Sequence, residues 1–278
     1  MKRDLQKKMA VINDFTGFGR CSLTVSIPII SHMGIQCCPV PTSVFSNHTA
    51  FSSYYFDDYT EKMPSYIQEW KKLDLSFDGI QTGFLGSVRQ IEIVTDFINS
   101  FRDEHTCVIV DPVMGDNGKP YATFTPDLCQ AMGKLARQAD LLTPNLTEAC
   151  ILTGIPYRSS GWKRQELFDL ARALGELGAQ KVVISGIPCG SYIGNVIWEE
   201  KKEPKLIRSL RVGQERCGTG DIFASILASD AVNGTDLSVS VRKASAFIRK
   251  CIAATESLCT PLTDGVCFES VLSHLPTT

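Results

Sequence analysis

Short apolar runs of strand length alternate with helical patterns along the whole chain, and this alternation restricts the possible folds more than any other feature. Met9–Asn13 and Ile35–Val40 read as strands, as do Gly79–Thr82, Val108–Val110, Asp140–Leu142 and Lys181–Ile184. Between them Ser22–Met33, Gln90–Phe101 and Pro126–Ala139 carry helical periodicity, and Pro64 lies where the first turn of a helix over Ser65–Trp70 would be. Strands buried on both faces lose polar alternation and read as continuous apolar runs. The expected class is therefore α/β, a mostly parallel sheet covered by helices. Tyr192–Trp198 and Lys205–Val212 flank the charged turn Glu199–Glu203 and predict an antiparallel hairpin at one edge. Helices over Gly220–Asp230 and Leu237–Ala254 follow. No repeat, low-complexity tract or linker interrupts the pattern, so residues 1–278 are expected to form one domain, a size that large α/β sheets reach.

Composition excludes several function classes. A net charge of −2 gives no bulk attraction to nucleic acid or acidic membranes. The basic start, Met1–Lys8, leads into one short apolar run and does not read as a signal peptide, and no apolar stretch approaches membrane-spanning length. A soluble cytoplasmic protein is expected. Eleven cysteines and four histidines show no Cys-x-x-Cys pair and no metal-ligand spacing. Most of these cysteines read as small buried hydrophobes.

Polar residues recur at the carboxyl ends of the predicted strands, where open α/β sheets bind ligands. Asn13 and Asp14 follow the first strand, and Thr42–Thr49 the second. Gly83–Ser87, Asp111–Asp116 and Thr143–Glu148 follow the next three. Singly each reads as a turn or cap; together they describe a rim of carboxylates, an amide and a glycine loop. Asp111 and Asp116 are candidates to hold Mg²⁺ directly or through water. Asn145 with Glu148 has two readings, a capping box or a further contribution to that metal network.

Arg216-Cys217-Gly218-Thr219-Gly220-Asp221 precedes an apolar helical run. Glycines let backbone N–H groups approach a ligand, and a helix N-terminus attracts phosphate oxygens. Asp221 falls in the first turn, where a carboxylate can reach a substrate hydroxyl as a base. An anion cradle beside a base is what phosphoryl transfer to an alcohol requires. No Gly-x-x-x-x-Gly-Lys-Ser/Thr motif is present, so the P-loop route to ATP is closed.

The set Phe45-Ser-Asn-His-Thr49, Phe84-Leu-Gly-Ser87, Asp111–Asp116, Thr143-Pro-Asn145, Glu148 and Gly218-Thr-Gly-Asp221 resembles the pyridoxal (vitamin B6) kinase family of the ribokinase-like superfamily. The match runs in the family's order over nearly the whole chain. Gly-Thr-Gly-Asp marks the superfamily, and Phe-Ser-Asn-His-Thr separates B6 kinases from sugar kinases. The resemblance implies a three-layer α/β/α domain with a mostly parallel central sheet, and a homodimer. It implies phosphorylation of the 5′-hydroxymethyl of pyridoxal, pyridoxamine or pyridoxine with ATP and Mg²⁺. By position, it makes Asp221 the base and Gly218, Thr219 and Gly220 the anion hole. Asp111, Asn145, Ser185 and Thr219 would face the nucleotide, and Asp116 and Glu148 the metal. Asn13, Asp14, His48, Thr49 and Phe84 would surround the B6 ring.

Two departures bear on substrate choice. Asn13-Asp14 stands where many relatives have Ser-His, and Phe84 where many have tyrosine. A pocket-facing Asp14 would favour the cationic aminomethyl of pyridoxamine. Gly17–Ser22 also differs from the better-known members and would add a loop contact of its own. Cys217 reads either as a small helix-start residue or as a thiol activated toward the aldehyde of pyridoxal. The edge hairpin or the Asp116–Tyr121 loop would cover the site and exclude water. The rival readings are a hydroxymethylpyrimidine kinase of thiamine synthesis and a B6-binding protein without turnover.

Overall fold

The computed structural model describes residues 6–121 and 124–277. In chain order it contains β1 (Lys8–Phe18), α1 (Leu23–His32), β2 (Gln36–Asn47), β3 (Phe56–Asp58), α2 (Met63–Lys72), β4 (Gly79–Thr82), α3 (Val88–Phe101) and β5 (Cys107–Val110). A small hairpin, β6 (Gly115–Asp116) and β7 (Lys119–Pro120), leads to α4 (Pro126–Ala136), β8 (Leu141–Leu142), α5 (Leu146–Thr153) and α6 (Arg164–Glu176). Then come β9 (Lys181–Cys189), β10 (Tyr192–Glu199), β11 (Lys205–Leu210), α7 (Thr219–Asn233) and α8 (Leu237–Ser257).

Nine strands form one sheet in the order β11-β10-β9-β8-β5-β4-β1-β2-β3. The pairs from β2 through β9 are parallel, while β10 runs antiparallel to both β9 and β11, and β3 antiparallel to β2. The period of two along each strand sends alternate residues into separate cores. Ala10 and Ile12 of β1, with Val108 and Val110 of β5, pack under α2 to α6. Met9 and Val11, with Ile109, pack under α1, α7 and α8. The expected three-layer α/β/α arrangement and its edge hairpin are present. Among the described residues no helix is long and apolar enough to cross a membrane.

Three strands outrun their apolar runs. β1 continues past Asn13 through a register shift, pairing Phe15 with Val44 and Phe18 with Asn47. β2 therefore extends to Asn47, and β3 joins it by pairing Phe56 with Phe45. The β1–β4 pairing stops at Ile12 and Thr82, so this three-stranded flap projects beyond the sheet. Its sequence is not continuously apolar because part of it faces solvent, with Phe15, Phe18 and Phe56 exposed. β9 likewise continues through Ser185 to Cys189, carried by its antiparallel pairing with β10. The helix α6 was not anticipated, and α5 only through the capping-box reading of Asn145 and Glu148, since it is buried on most sides and lacks a clear amphipathic period.

Candidate active site

Gly218 is the residue before α7, in the left-handed region at φ 88°. A Cβ there would lie 2.1 Å from the carbonyl oxygen of Arg20, so the loop between β1 and α1 rests directly on the glycine loop. A Cβ on Gly220 would meet nothing within 4 Å. The Thr219 hydroxyl donates to the Arg216 carbonyl at 3.0 Å, closing the turn.

Asp221 occupies the first turn of α7. Asn13 Nδ2 approaches its Oδ1 at 3.5 Å, and the backbone N–H of Ser22 donates to the same carboxylate. Burial pushes the Asp221 carboxyl up to about 6; the nearby charge of Asp14 adds to the rise, while the Ser22 and Asn13 hydrogen bonds oppose it. Asn13 Oδ1 accepts from the backbone N–H of Phe84 at 2.8 Å and of Asp14 at 3.0 Å. Only glycine fits at position 83, since a Cβ would fall 2.5 Å from the Asn13 amide.

The residues read from the sequence as ring contacts lie on the flap, the turn after β2 and the β4–α3 loop. Phe84 is half-buried and meets the edge of Phe45 at 6.3 Å. Thr49 is exposed in the turn after β2. His48 Nδ1 accepts from the Ala50 N–H at 3.2 Å, so Nε2 carries the proton and donates to the Thr263 carbonyl at 2.6 Å. Both ring nitrogens are thus spent on the backbone, and only the ring face is left for a ligand. Asp14 is 5% exposed, and its carboxylate accepts from Thr16 Oγ1 at 2.6 Å and from the Ser22 hydroxyl. That arrangement differs from the pocket-facing Asp14 read from the sequence.

A second group of carboxylates lies at the ends of β5 and β8. Thr143 Oγ1 donates to Asp111 at 3.3 Å. Burial, aided by the charge of Asp221, pushes the Asp111 carboxyl up to about 8. Glu148 completes the capping box with Asn145, accepting the Asn145 N–H at 2.8 Å, and its other oxygen accepts the Met114 N–H at 3.1 Å. Burial and the neighbouring Asp111 hold its carboxyl well above the ordinary range. Asn145 Nδ2 donates to the Gly115 carbonyl at 2.8 Å, and Asn145 bridges to Ser185 across the sheet. Asp116 is half-buried and bonds the Asn117 amides.

Among the described residues no ion pair joins Asp111, Asp116, Glu148 or Asp221 to a cation. The same residues contain no cluster of three or more ligands ready to enclose a metal. Uncompensated carboxylates without a closed cage suit Mg²⁺, which binds through one or two carboxylates, its own waters and substrate phosphates.

A glycine anion cradle, a carboxylate of raised proton affinity and an acidic rim are the parts of a phosphotransferase. The phosphomethylpyrimidine kinase family matches residues 27–261. The chain belongs to this family of kinases. A Bacteroides thetaiotaomicron protein, provisionally assigned as a phosphomethylpyrimidine kinase and crystallised with pyridoxal, is 38% identical; the alignment covers 98% of this chain and 96% of that one at a TM-score of 0.93. The pyridoxal kinase of Lactobacillus plantarum is 28% identical over 97% of this chain and 96% of its own, with a TM-score of 0.89. The pyridoxal kinase of Dictyostelium discoideum is 25% identical over 271 residues, covering 91% of this chain and 88% of the relative. These relatives bear out the resemblance to the B6 kinase family.

The sequence reading of the kinase missed Ser22, whose N–H reaches Asp221 from the β1–α1 loop. No short-range signal marks that contact, although the unusual Gly17–Ser22 segment pointed to the loop. It also missed Arg216, which is buried and donates to the carbonyls of Thr260 and Pro261 at 2.7 and 2.8 Å, tying the glycine loop to the segment after α8. The Cys21 thiol hydrogen-bonds Cys217, and this contact with burial pushes it far above the ordinary thiol range. Cys217 therefore has a neighbouring thiol as its partner.

Proposed function

We propose that the kinase transfers the terminal phosphoryl group of ATP to the 5′-hydroxymethyl of a B6 vitamer (pyridoxal, pyridoxamine or pyridoxine), a salvage step toward pyridoxal 5′-phosphate. The observation that carries this reading is the chain of bonds from the Phe84 backbone through Asn13 to Asp221. It ties an aromatic platform for a flat ring to the carboxylate that would accept the hydroxyl proton. Asp221 is ionised above about pH 6, the state a general base needs. The N–H groups of Gly218, Thr219 and Gly220 at the start of α7 would stabilise charge on the moving phosphoryl group. Asp111, Asn145, Ser185 and Thr219 would line the nucleotide side. Asp116 and Glu148 would hold Mg²⁺ directly or through water. When bound, the ion neutralises charge between the phosphates.

Thr49 and the face of His48 would complete the ring pocket. The β6–β7 hairpin, which contains Asp116, and the flap would exclude water. Exposed Phe15, Phe18, Tyr54, Tyr55 and Phe56 on and around the flap would supply apolar surface for a homodimer. A second reading, hydroxymethylpyrimidine kinase, is favoured by the family match and by Phe84, which offers the ring no hydroxyl. ADP release from ATP and Mg²⁺ in the presence of pyridoxal, with Asp221→Asn in parallel, tests the proposal. Pyridoxal-dependent ADP release by the wild type and its loss in the variant are expected. Tight vitamer binding with no ADP formed would instead identify a binding protein.

A further inference from the structure

Ser22 is the N-cap of α1 yet does not cap it. An N-cap serine ordinarily sits in the extended region and turns its oxygen onto the amides of the first turn. Here Ser22 lies at φ 57°, ψ −135°, and its side chain makes no capping bond. Arg20 and Gly19 before it are also at positive φ, 50° and 112°. Positive φ in a non-glycine residue is costly and persists only where surrounding contacts impose it. Arg20 is held by Glu269 and the Asp264 carbonyl, and Ser22 by Asp14, whose buried carboxylate takes the Ser22 hydroxyl and is itself fixed by Thr16. With its hydroxyl held there, Ser22 directs its backbone N–H onto Asp221.

We propose that Asp14 is a positioning residue for phosphoryl transfer. Through the Ser22 hydroxyl it holds the Ser22 N–H against Asp221, so that Ser22 and Asn13 together orient the carboxylate for the substrate hydroxyl. This rests on the reading of Asp221 as the base. It replaces a direct contact between Asp14 and the substrate, for which a 5% exposed and doubly bonded carboxylate is poorly placed. The lost cap and the strained backbone of Ser22 are then stability given up for the geometry of the base.

The test is a double-mutant cycle on Asp14→Ala and Ser22→Ala, with Asp14→Asn and Asp221→Asn alongside. Melting curves and ATP binding report folding. Each single alanine variant should lower kcat by about 10- to 100-fold, the sensitivity expected when a reacting group is slightly misplaced. KM for ATP should change less than threefold. The double variant should be no slower than the slower single, because both remove one link. Asp14→Asn, which keeps an acceptor for Ser22, should recover most of the loss. The ratio of pyridoxamine to pyridoxal kcat/KM should stay constant throughout. Multiplicative losses, a full-rate Ser22→Ala or a changed vitamer ratio in Asp14→Asn would overturn the proposal. If Asp14→Ala does not fold, Ser22→Ala alone decides. An Asp221→Asn variant with normal turnover would instead sink the assignment of the base.

Discussion

The two glycines of the Gly-Thr-Gly-Asp loop should respond oppositely to alanine. At Gly218 the new Cβ would meet the Arg20 carbonyl oxygen at 2.1 Å, and the backbone sits at φ 88°. The left-handed conformation alone costs an alanine roughly 1–2 kcal/mol. The clash is with backbone and cannot be relieved by a rotamer change, so the total should be about 2–4 kcal/mol, in the range of diagnostic destabilising substitutions. At Gly220 an added Cβ would meet no atom beyond its own helix backbone within 4 Å, and the residue lies in the first turn of α7. Alanine there should stabilise the ligand-free protein by about 0.5–1 kcal/mol through helix propensity. At roughly 2–4 °C per kcal/mol for a chain of this order, Tm should rise by about 1–4 °C. Turnover should nevertheless fall by about 10²–10³, the usual loss when an oxyanion donor is disabled, because the methyl occupies space the phosphoryl group needs. Differential scanning fluorimetry and steady-state kinetics on both variants read the two effects. A Gly220→Ala enzyme with full kcat would refute the idea that the open side of Gly220 faces the phosphate.

Other expectations concern the carboxylates. Asp111, raised to about 8 by burial, favours the protonated form in the fold, so its contribution to stability is complete below the unfolded value of about 3.9 and is lost as pH rises through 8. Asp111→Asn should therefore melt progressively higher than the wild type from pH 4 to 8, by about one to a few kcal/mol at the top, while losing activity; equal melting curves would contradict this. The kcat/KM of the wild type should fall as pH drops through about 6, where Asp221 takes up a proton; a flat profile from pH 5 to 7 argues against that base. Glu148→Gln should raise the Mg²⁺ concentration for half-maximal rate, and because the Met114 and Asn145 N–H groups bond different carboxylate oxygens, one of which becomes a non-accepting NH2, it should leave one buried donor unpaired, at about 1–3 kcal/mol. An unchanged Mg²⁺ dependence would leave Glu148 a structural cap alone.

The sheet and its helices were legible because a strand buried on both faces must be apolar throughout. The flap was not, because Phe15 to Phe18 and Val44 to Asn47 pair without a continuous core on both sides. Asn13 and Phe84 could be placed after strands, and Asp221 in the first turn of a helix, from local pattern, and the structure joins them by hydrogen bonds. Asp14 shows the limit of that approach. Its charge suggested a substrate contact, but its direction is set by Thr16 two residues on and Ser22 eight residues on, across a loop whose positive φ values no composition signal announces. The Asn145–Glu148 spacing proved to be a true capping box, and the extra bond to Met114, which locks Glu148 beside Asp111, lies between segments 34 residues apart. His48 was legible as a motif residue, yet the backbone partners that occupy its nitrogens come from the flap turn and from a segment over 200 residues away.

The central claim is that this kinase serves B6 vitamers. Its most direct test is kcat/KM for pyridoxal, pyridoxamine, pyridoxine and hydroxymethylpyrimidine, measured side by side with saturating ATP and Mg²⁺. At least one B6 vitamer should exceed hydroxymethylpyrimidine by about tenfold or more, the equivalent of a single 1.4 kcal/mol contact. A preference of the same size for hydroxymethylpyrimidine would contradict the account.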